Sequence, residues 1–463
     1  MKRDRLPRLL LPVILFGFIS PLPANPATAD AALQADLERI VQRAYADNEP
    51  GAAVMVVRDG QTLYRGARGL ANVELSVPMR PEHVFRIGSI TKQFTAAAIL
   101  LLAEQGKLQL SDPITKYLPD YPVQGHTVTI QHLLSHTSGI ANYTEQPTWF
   151  RTIRNDVTVQ QLMQVFQDKP FDFAPGERWK YDNSGYVLLG AIIEKISGQP
   201  YSDFMRTQLF EPLGMMHTGY EDTARITPLR TPGYTRNGER WLNADYLSMS
   251  QPYAAGALTS TVDDLAIWNA VMASGGLLEA SSWQRATSSF VLRDGTPTRY
   301  GAGWIMGRVG PVATIEHGGG INGFNAYVLR APRQNVFVAV LTNAMSPRSA
   351  PQQVAVELAS RALGVSLDAP EVPMAASRLD EYAGNYLLDG ARSITVLRDG
   401  DRLYAQEGAA PRVELVPIGT DLFEERGQHA HYAFHREKRR VAMLEIEPRI
   451  LVSQRARRAS ASR

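Results

Sequence analysis

Cysteine is absent from this chain of 463 residues. Its absence excludes a disulfide framework, a thiol nucleophile and lipid attachment through cysteine. The formal net charge is only +2, and so small an excess gives no support to a nucleic-acid-binding role. After the N-terminal region, no apolar run reaches the length needed to cross a bilayer. We therefore expect no nucleic-acid partner and no transmembrane segment in the mature chain.

Residues 1–29 have the pattern of a secretory signal. Basic residues, among them Lys2 and Arg8, precede the apolar run LLLPVILFGFI, and the small residues ATA at 27–29 suit a signal peptidase. The pattern predicts cleavage near Ala29 and export to the periplasm or the medium. An uncleaved anchor is the alternative, and the shortness of the apolar run disfavours it.

Within residues 30–365, strand-like runs lie near both ends, each flanked on its outer side by a helix-like stretch, and the patterns between them are mostly helical. Clear helical patterns cover 185–197 and 262–274, and Asp59-Gly60 predicts a two-residue hairpin turn between two apolar runs. Strands at both ends with helices inserted predict an α+β fold, in which an antiparallel sheet is flanked by helices and joined to a helical lobe. A cleft between sheet and lobe is the natural place for an active site.

The pattern changes after residue 365. Residues 366–377 contain prolines and are predicted to be a linker. Residues 378–455 consist of short alternating runs such as SITVLRDGDRLYAQ, with an Asp-Gly turn at 399–400, and predict a small all-β, barrel-like domain. Residues 456–463 are rich in arginine and are predicted to be a basic, disordered tail. We expect the β-rich domain to affect stability or substrate access without supplying a catalytic group.

Ser89 and Lys92 stand one helical turn apart in RIGSITKQFTAAAILLL. The apolar spacing predicts that a helix begins at Ser89, which puts Lys92 in the first turn, where the helix dipole disfavours a cation. An ordinary explanation exists: Ser89 is an N-cap and Lys92 a solvated side chain. A chain of this length is expected to contain about two Ser-x-x-Lys pairs by chance, so the pair alone is weak evidence.

Two further motifs follow in the chain. Tyr181 and Asn183 lie in WKYDNSGYVLLG, and His317 precedes three glycines in EHGGGINGF. Either segment alone is typical of a polar turn or a loop. In this order the three motifs resemble the serine penicillin-recognising enzymes, which include the β-lactamases and the D-alanyl-D-alanine carboxypeptidases. One branch has the signature S-x-x-K, S-D-N and K-T-G.

The chain departs from that branch at two motifs. Tyr-x-Asn replaces S-D-N, which is the form of the class C β-lactamases and their carboxypeptidase, esterase and aminopeptidase relatives. His-Gly-Gly replaces K-T-G. Other stretches similar to this family include TIQHLLSHTSGI, AAGALTSTVDDLAIW and VLTN, and the resemblance covers about residues 35–362. It implies a β-lactamase/transpeptidase-like fold, and the β-rich region resembles a domain often appended to such hydrolases.

The resemblance implies an acyl-enzyme mechanism with Ser89 as the nucleophile. A serine hydroxyl needs a neighbouring base, and Lys92 lies on the same helix face. Desolvation and the helix N-terminus would lower the pKa of Lys92. Tyr181 is the second proton carrier, and an adjacent ammonium would have to lower its pKa or hold it as a relay. Which of Lys92 and Tyr181 is the general base stays open.

The resemblance also implies a substrate-binding set. Asn183 would bind a substrate amide, and His317 would pair with a substrate carboxylate or join the proton network. Gly319 would let the substrate backbone approach the strand edge. The backbone N–H groups of Ser89 and Gly320 would form the oxyanion hole. Neither a metal nor another cofactor is expected.

Two groups of histidines have a spacing that is compatible with a metal site. His132 and His136 stand four apart, but no acidic residue lies between them as in H-E-x-x-H, which favours a structural role. His429, His431 and His435 are close in the β-rich region, where a solvated strand is the favoured explanation.

Together these motifs predict an exported serine hydrolase that acts on small-molecule or peptide substrates, cell-wall-derived ones included. The favoured activity is cleavage of peptide, amide or ester bonds, as by a D-alanyl-D-alanine carboxypeptidase, an aminopeptidase or an esterase. A class C-like β-lactamase is the alternative, disfavoured because His317 is a weaker cation than lysine at neutral pH. A non-catalytic cell-wall peptide-binding protein is the second alternative, and the awkwardly placed Lys92 argues against it.

Overall fold

The computed structural model describes residues 26–388, 392–449 and 454–459. Most of the predicted signal, residues 1–25, lies outside the described residues. The helices and strands within residues 26–363 are called the main unit, and the strands within residues 384–458 are called the barrel. The strands of the main unit are β1 (Ala52–Arg58), β2 (Gln61–Arg68), β3 (Leu70–Asn72), β4 (Val77–Pro78), β5 (Phe85–Arg86), β6 (Gly219–Tyr220), β7 (Tyr234–Asn237), β8 (Arg240–Asn243), β9 (Leu258–Ser260), β10 (Ile305–Val309), β11 (Val312–Ile321), β12 (Phe324–Ala331) and β13 (Val336–Thr342).

Most of the helices lie between β5 and β10. The helices are α1 (Pro26–Ala44), α2 (Thr91–Glu104), α3 (Ile130–Leu134), α4 (Pro147–Phe150), α5 (Val159–Gln164), α6 (Asn183–Ser197), α7 (Tyr201–Met205), α8 (Glu211–Leu213), α9 (Tyr253–Gly256), α10 (Val262–Ser274), α11 (Ala280–Ala286), α12 (Pro351–Leu363) and α13 (Ala376–Leu379). The helices predicted at 185–197 and 262–274 are confirmed as α6 and α10. Thr261 caps α10, and its hydroxyl accepts the backbone N–H of Asp264.

Six strands form the antiparallel sheet of the main unit, in the order β10-β11-β12-β13-β1-β2. The first strand of the main unit, β1, therefore pairs directly with its last strand, β13, inside the sheet. The predicted hairpin joins β1 to β2, and its turn residues Asp59 and Gly60 have φ of 52° and 75°. Both values lie in the left-handed region that a tight hairpin turn requires. The α+β architecture expected from the sequence is confirmed.

The two faces of this sheet belong to two different cores. Successive side chains on a strand point to opposite faces, so Ala53, Met55 and Val57 pack with the helical lobe, whereas Val54 and Val56 pack under α1 and α12. On β11 the same alternation puts Ile315 on the lobe side. His317 follows on that side, which faces the site, and Glu316 points to the opposite face.

The eight strands after residue 383 form a closed antiparallel barrel. They are β14 (Gly384–Leu387), β15 (Ser393–Asp399), β16 (Arg402–Glu407), β17 (Val413–Gly419), β18 (Leu422–Glu425), β19 (His431–Glu437), β20 (Arg440–Glu447) and β21 (Gln454–Arg458). The barrel closes where β21 pairs with β14. Aromatic side chains, Tyr382, Tyr386, Phe423 and Phe434, fill its core.

Two details of this region differ from the sequence prediction. The β15–β16 turn is centred on Gly400 and Asp401, one residue later than predicted, because Asp399 pairs with Arg402. Residues 456–458, predicted to begin a disordered tail, are part of β21 and pair with β20 and β14. Their arginines hid the strand, because an arginine-rich composition is also typical of a basic tail. The predicted division of the chain into a hydrolase domain (30–365), a linker (366–377) and a β-rich domain (378–455) stays a prediction.

Across the described ranges, the helices are all too short or too polar to cross a membrane.

Candidate active site

Ser89 lies in a 3₁₀ turn, Gly88–Ile90, that leads directly into α2. The N-cap of α2 is Ile90, and no side chain caps the helix. The N-cap role considered for Ser89 is therefore wrong, because the 3₁₀ turn starts the helical path before α2 proper. The Ser89 hydroxyl therefore does not accept a hydrogen bond from the free N–H groups at the start of α2. It faces Lys92 instead, whose Nζ lies 3.2 Å from Ser89 Oγ.

Lys92 is completely buried in the first turn of α2. Besides Ser89 Oγ, its Nζ donates to Asn183 Oδ1 at 2.8 Å and to the backbone oxygen of Ala255 at 2.9 Å. The Nζ also lies 4.8 Å from the centre of the Tyr181 ring. Burial lowers the pKa of Lys92 to about 7, and the Asp182 carboxylate opposes the change. A lysine with such a pKa is partly neutral near pH 7 and can accept a proton.

Tyr181 and Asn183 reach the site from the start of α6. The carboxylate of Asp182 caps this helix by accepting the N–H groups of Ser184 and Gly185 at 2.7 and 3.0 Å. This cap fixes the backbone between Tyr181 and Asn183 and so aims both side chains at Lys92. Burial raises the pKa of the Asp182 carboxyl to about 7, against the effect of these hydrogen bonds.

The side chain of Tyr181 is half-buried, and its hydroxyl oxygen is buried and makes no hydrogen bond of normal geometry with the described residues. Burial raises its pKa well above the ordinary value, and the neighbouring Ser89 hydroxyl only partly opposes this. Of the two alternatives predicted for Tyr181, a pKa lowered by an ammonium group is wrong, because desolvation of the phenolate raises the pKa instead; a role as a proton relay stays a prediction. At neutral pH Tyr181 is a proton donor.

Asn183 is oriented by two partners. Its Oδ1 accepts from Lys92, and its Nδ2 donates to Thr144 Oγ1 at 3.2 Å. The side-chain amide of Asn183 has a second lone pair on Oδ1 and a second N–H on Nδ2, and these can bind a substrate amide. That contact stays a prediction. The side chain also holds Lys92 in position.

Strand β11 forms the opposite wall and approaches the Ser89 turn closely. A Cβ on Gly319 would lie 1.9 Å from the backbone oxygen of Ile87 and 3.2 Å from the nitrogen of Ser89. A Cβ on Gly88 would lie 3.0 Å from the nitrogen of Gly320. Only glycines allow the two backbones to come this close. The arrangement brings the N–H-bearing backbone of Gly320 beside the Ser89 turn, as the predicted oxyanion hole requires.

His317 is buried, and both of its ring nitrogens are occupied by the protein. Its Nδ1 lies 2.6 Å from the backbone oxygen of Gly318, which can only accept, so Nδ1 carries the hydrogen. In the neutral ring Nε2 then accepts from the Tyr300 hydroxyl at 2.9 Å. Burial, together with the charge of Lys92, lowers the pKa of His317 to about 3. The ring is therefore neutral, and the idea that it pairs as a cation with a substrate carboxylate is not supported by this geometry.

Two residues beside the site were not predicted from the sequence to belong to it: Tyr300, and His136, for which only a structural role was expected. The buried His136 ring packs at a tilt against Tyr181, with centroids 4.4 Å apart, and against Tyr300 at 4.5 Å. Its Nδ1 accepts the N–H of Asp182 at 3.1 Å, so it supports the segment that carries Tyr181. The segment SHTSGI was a signal for His136, whereas no motif marks Tyr300, whose role depends on its contact with His317 on strand β11.

His132 and His136 each use one ring nitrogen for a hydrogen bond within the protein. Helix α3 ends at Leu134, and His132 Nδ1 accepts the N–H of Thr129 in a capping box. His136 Nδ1 accepts the N–H of Asp182. These hydrogen bonds fit the structural role predicted for both histidines, which stays a prediction.

Two of the three barrel histidines lie near one carboxylate: His429 Nδ1 is 3.7 Å and His431 Nε2 is 3.6 Å from the oxygens of Glu424. His435 is partnered by Glu445, with Nε2 3.0 Å from the carboxylate. Within the described ranges, one group has the composition and spacing to hold an ion: Asp368, Glu424 and His429, whose ligand atoms lie within 4.8 Å of one another. This group lies at the linker, away from Ser89.

Comparisons with known proteins agree with this geometry. The model of the Beta-lactamase family matches residues 37–361. Penicillin-binding protein 4* of Bacillus subtilis (strain 168) is 29% identical over 401 residues, covering 80% of this chain and 86% of that protein. The octameric penicillin-binding protein homologue from Pyrococcus abyssi has a TM-score of 0.63 and 27% identity over 91% of this chain and 99% of its own.

A D-stereospecific amidohydrolase from Streptomyces sp. is similar over a shorter part of the chain. Its TM-score is 0.60 and its identity 27%, over 73% of this chain and 99% of that structure. The family model covers well over half of the chain and includes all three motifs of the site. This protein therefore belongs to the Beta-lactamase family of serine hydrolases.

Proposed function

We propose that the chain is an exported hydrolase that forms an acyl-enzyme on Ser89 and cleaves peptide, amide or ester bonds. The contact between Lys92 and Ser89 carries the proposal. A neutral amine has two N–H groups and one lone pair. Asn183 and Ala255 accept the two N–H groups, so the lone pair is left to face the Ser89 hydroxyl 3.2 Å away. This is the arrangement that an activated serine needs.

Lys92 is the base in this proposal, and Tyr181 is the donor. The Ser89 proton moves to Lys92 Nζ as Oγ bonds to the substrate carbonyl carbon, and the N–H groups of Ser89 and Gly320 stabilise the oxyanion. The C–N or C–O bond then breaks, and the leaving group takes a proton from the Tyr181 hydroxyl, which Lys92 reprotonates. Water attacks the acyl-enzyme by the same route in reverse and releases the acid and free Ser89. The raised pKa of Tyr181 suits a donor, and the lowered pKa of Lys92 suits a base.

The proposed substrates have no obligatory carboxylate beside the scissile bond. The neutral, doubly hydrogen-bonded His317 offers no positive charge to such a group, which disfavours penicillins and cephalosporins because they carry a carboxylate. The similarity to a D-stereospecific amidohydrolase favours amides and short peptides containing D-amino acids, and activated esters are the simplest probes of the same chemistry.

The test is a side-by-side measurement of kcat/KM for a D-amino-acid amide, a D-alanyl-D-alanine peptide, a short-chain aryl ester and a chromogenic cephalosporin. We expect the amide and the ester to be turned over fastest, and the Ser89→Ala variant to turn over none of the four. A cephalosporin value near ~10⁷ M⁻¹s⁻¹ with the others orders of magnitude slower would establish the β-lactamase alternative instead.

Export and the division of the chain are part of the same proposal. We propose that residues 1–29 are removed and that residues 30–365 and 378–455 form the hydrolase domain and a β-rich domain. N-terminal sequencing of the protein recovered from the periplasm or medium is expected to begin at Asp30. Recovery only from the cytoplasm with Met1 or Lys2 at the N-terminus would contradict export.

A further inference from the structure

One segment of the barrel, Glu447–Arg449 at the end of β20, reaches into the main unit. The guanidinium of Arg449 binds the Glu316 carboxylate through two parallel contacts, Nη1 to Oε1 at 2.9 Å and Nη2 to Oε2 at 2.8 Å. Glu316 is completely buried, and the side chain of Arg449 is only 8% exposed. Bidentate pairs of this kind fix geometry as well as charge.

The remaining hydrogen bonds of Glu316 come from its own sheet. Thr314 Oγ1 donates to Oε1 at 2.8 Å, and the Tyr327 hydroxyl donates to Oε2 at 2.6 Å. The Tyr327 ring in turn lies against Gly318, where an added Cβ would be 3.2 Å from a ring carbon. The Arg449–Glu316–Tyr327 cluster therefore backs the stretch of β11 whose other face forms the wall of the site.

The same barrel segment holds a second part of the main unit, the bend at Arg299 that precedes β10. Arg299 donates to Glu447 Oε1 at 3.0 Å, to the backbone oxygen of Pro448 at 2.9 Å and to that of Arg449 at 3.1 Å. Arg299 has a φ of 54°, a left-handed conformation that is costly for arginine and needs support from its surroundings. It directly precedes Tyr300.

These two contacts end on the residues that precede the hydrogen-bonded pair Tyr300 and His317. Glu316 comes immediately before His317, and Arg299 immediately before Tyr300. We propose that the barrel segment Glu447–Arg449 positions the Tyr300–His317 pair and, through it, the Gly319–Gly320 backbone at Ser89, with Arg449 as the principal positioning residue. The barrel thus supplies no group to the reacting atoms, but the site depends on it.

The consequence for catalysis follows from the tight fit of β11 against the Ser89 turn. The Gly319 position has no spare space beside Ile87 and Ser89, so a shift of β11 by a fraction of an ångström changes where the Gly320 N–H points. Displacements on the order of 1 Å can cost about 10²-fold in rate. The catalytic consequence rests on the proposed function, whereas the effect on the β11 backbone does not.

The experiment uses the full chain and three variants. Arg449→Met removes the ion pair and leaves Glu316 buried without its cation, which is costly for stability. Glu316→Gln/Arg449→Met removes both charges and so avoids that cost. Arg436→Met is the matched control, because Arg436 makes an equally extensive set of ionic contacts with Asp421 and Glu381 entirely within the barrel region.

Two readouts are measured for each variant: kcat and KM for an aryl ester, and hydrogen–deuterium exchange of peptides covering residues 296–306 and 312–321. We expect Arg449→Met and the double variant to lower kcat about tenfold or more with KM changed less than threefold, and to exchange faster in both peptides. Arg436→Met is expected to leave kcat within about twofold and the exchange of both peptides unchanged, since the ion pairs of Arg436 are with Asp421 and Glu381, outside both peptides.

The double variant separates positioning from stability. If it regains thermal stability while kcat stays low and β11 exchanges fast, the proposal is supported. If it regains both stability and wild-type kcat, or if Arg436→Met lowers kcat as much as Arg449→Met does, the barrel acts only through general stability and the proposal is wrong. Should the wild-type protein turn over no ester, the proposed function fails, and the exchange of residues 312–321 still decides whether Arg449 holds this strand.

Discussion

Lys92 on α2 and His317 on β11 are buried bases on opposite walls of one site, and their hydrogen bonds give them opposite roles. Burial lowers the pKa of both, to about 7 for Lys92 and about 3 for His317. Two of the contacts of Lys92 orient it and the third is the Ser89 hydroxyl. Both ring nitrogens of His317 end on protein groups, Tyr300 and the Gly318 backbone.

The comparison shows that burial alone does not mark a reactive group. A depressed pKa makes a basic group neutral, but the group can take a proton from the nucleophile only if its lone pair is aimed at that nucleophile. The helical wall carries the proton chemistry, whereas the β11 wall supplies the backbone geometry. Each prediction below tests one side of this division.

The largest effect is expected for Lys92→Met. Losing the general base should lower kcat/KM for an aryl ester by about 10²–10⁴-fold. The methionine fills a similar volume without a buried amine, so thermal unfolding should stay at or above the wild-type temperature. A variant that is folded and within tenfold of the wild-type rate would remove Lys92 from the mechanism and leave Tyr181 as the candidate base.

Tyr181→Phe is expected to have the next largest effect. The hydroxyl makes no hydrogen bond of normal geometry with the described residues, so its loss should not weaken the fold. As the proton donor to the leaving group, it should contribute about 10²-fold to kcat. Comparing esters of good and poor leaving groups sharpens the test, because a good leaving group needs little protonation. An equal loss for both kinds of ester would argue against the donor role.

The pH dependence of kcat/KM for the wild-type enzyme shows whether Lys92 or His317 controls the rate. We expect kcat/KM to rise through about pH 7, as Lys92 loses its proton. Asp182, whose pKa burial also raises to about 7, titrates in the same range, so the inflection belongs to the coupled pair. His317 should contribute nothing between about pH 5 and 9. A rate that instead falls as the pH rises from 6 to 8 would contradict a neutral lysine base.

The lowered pKa of Lys92 also makes the stability of the fold depend on pH. The folded-state pKa of Lys92 lies below its unfolded value of 10.5, so the unfolded chain binds more protons between about pH 7 and 10.5. The contribution of Lys92 to the free energy of unfolding should therefore rise with pH across this window. Chemical unfolding at several pH values should show a flatter profile for Lys92→Met than for the wild type. Parallel profiles would show that Lys92 is not neutral in the folded state.

The smallest effect is expected for His317→Gln. The change disturbs the contact with Tyr300 but removes no positive charge, so kcat should fall by about tenfold or less. KM should change equally for peptide substrates with a free terminal carboxylate and for their amides. A selective rise of KM for the carboxylate substrates would restore His317 as an anion-binding residue.

The sequence predicted the parts of the molecule that depend on local patterns. The Asp59-Gly60 turn, helix α6 and the α+β architecture all follow from periodicity and turn chemistry, and the spacing of Ser89 and Lys92 follows from the helical repeat. The N-cap role of Ser89 was wrong because the choice between a 3₁₀ turn and a helix start depends on the approach of β11, which no local pattern records.

Long-range contacts explain what the sequence did not predict. The protonation of His317 depends on Tyr300, which lies on a separate segment, and on burial by both walls. The pairing of Glu316 with Arg449 joins residues 133 positions apart, and both look in the sequence like ordinary surface charges. The strand at Gln454–Arg458 was hidden because its arginines match the composition of a basic tail.

Covalent labelling of Ser89 tests the central claim most directly. The full chain is incubated with a fluorophosphonate, and the intact mass and the peptide containing residues 86–102 are measured before and after. We expect a mass increase of one phosphonyl group per chain, located on Ser89, and none in the Ser89→Ala variant, which should otherwise fold like the wild type. An unlabelled wild-type protein, or a label that persists in Ser89→Ala, would contradict an acyl-enzyme on Ser89.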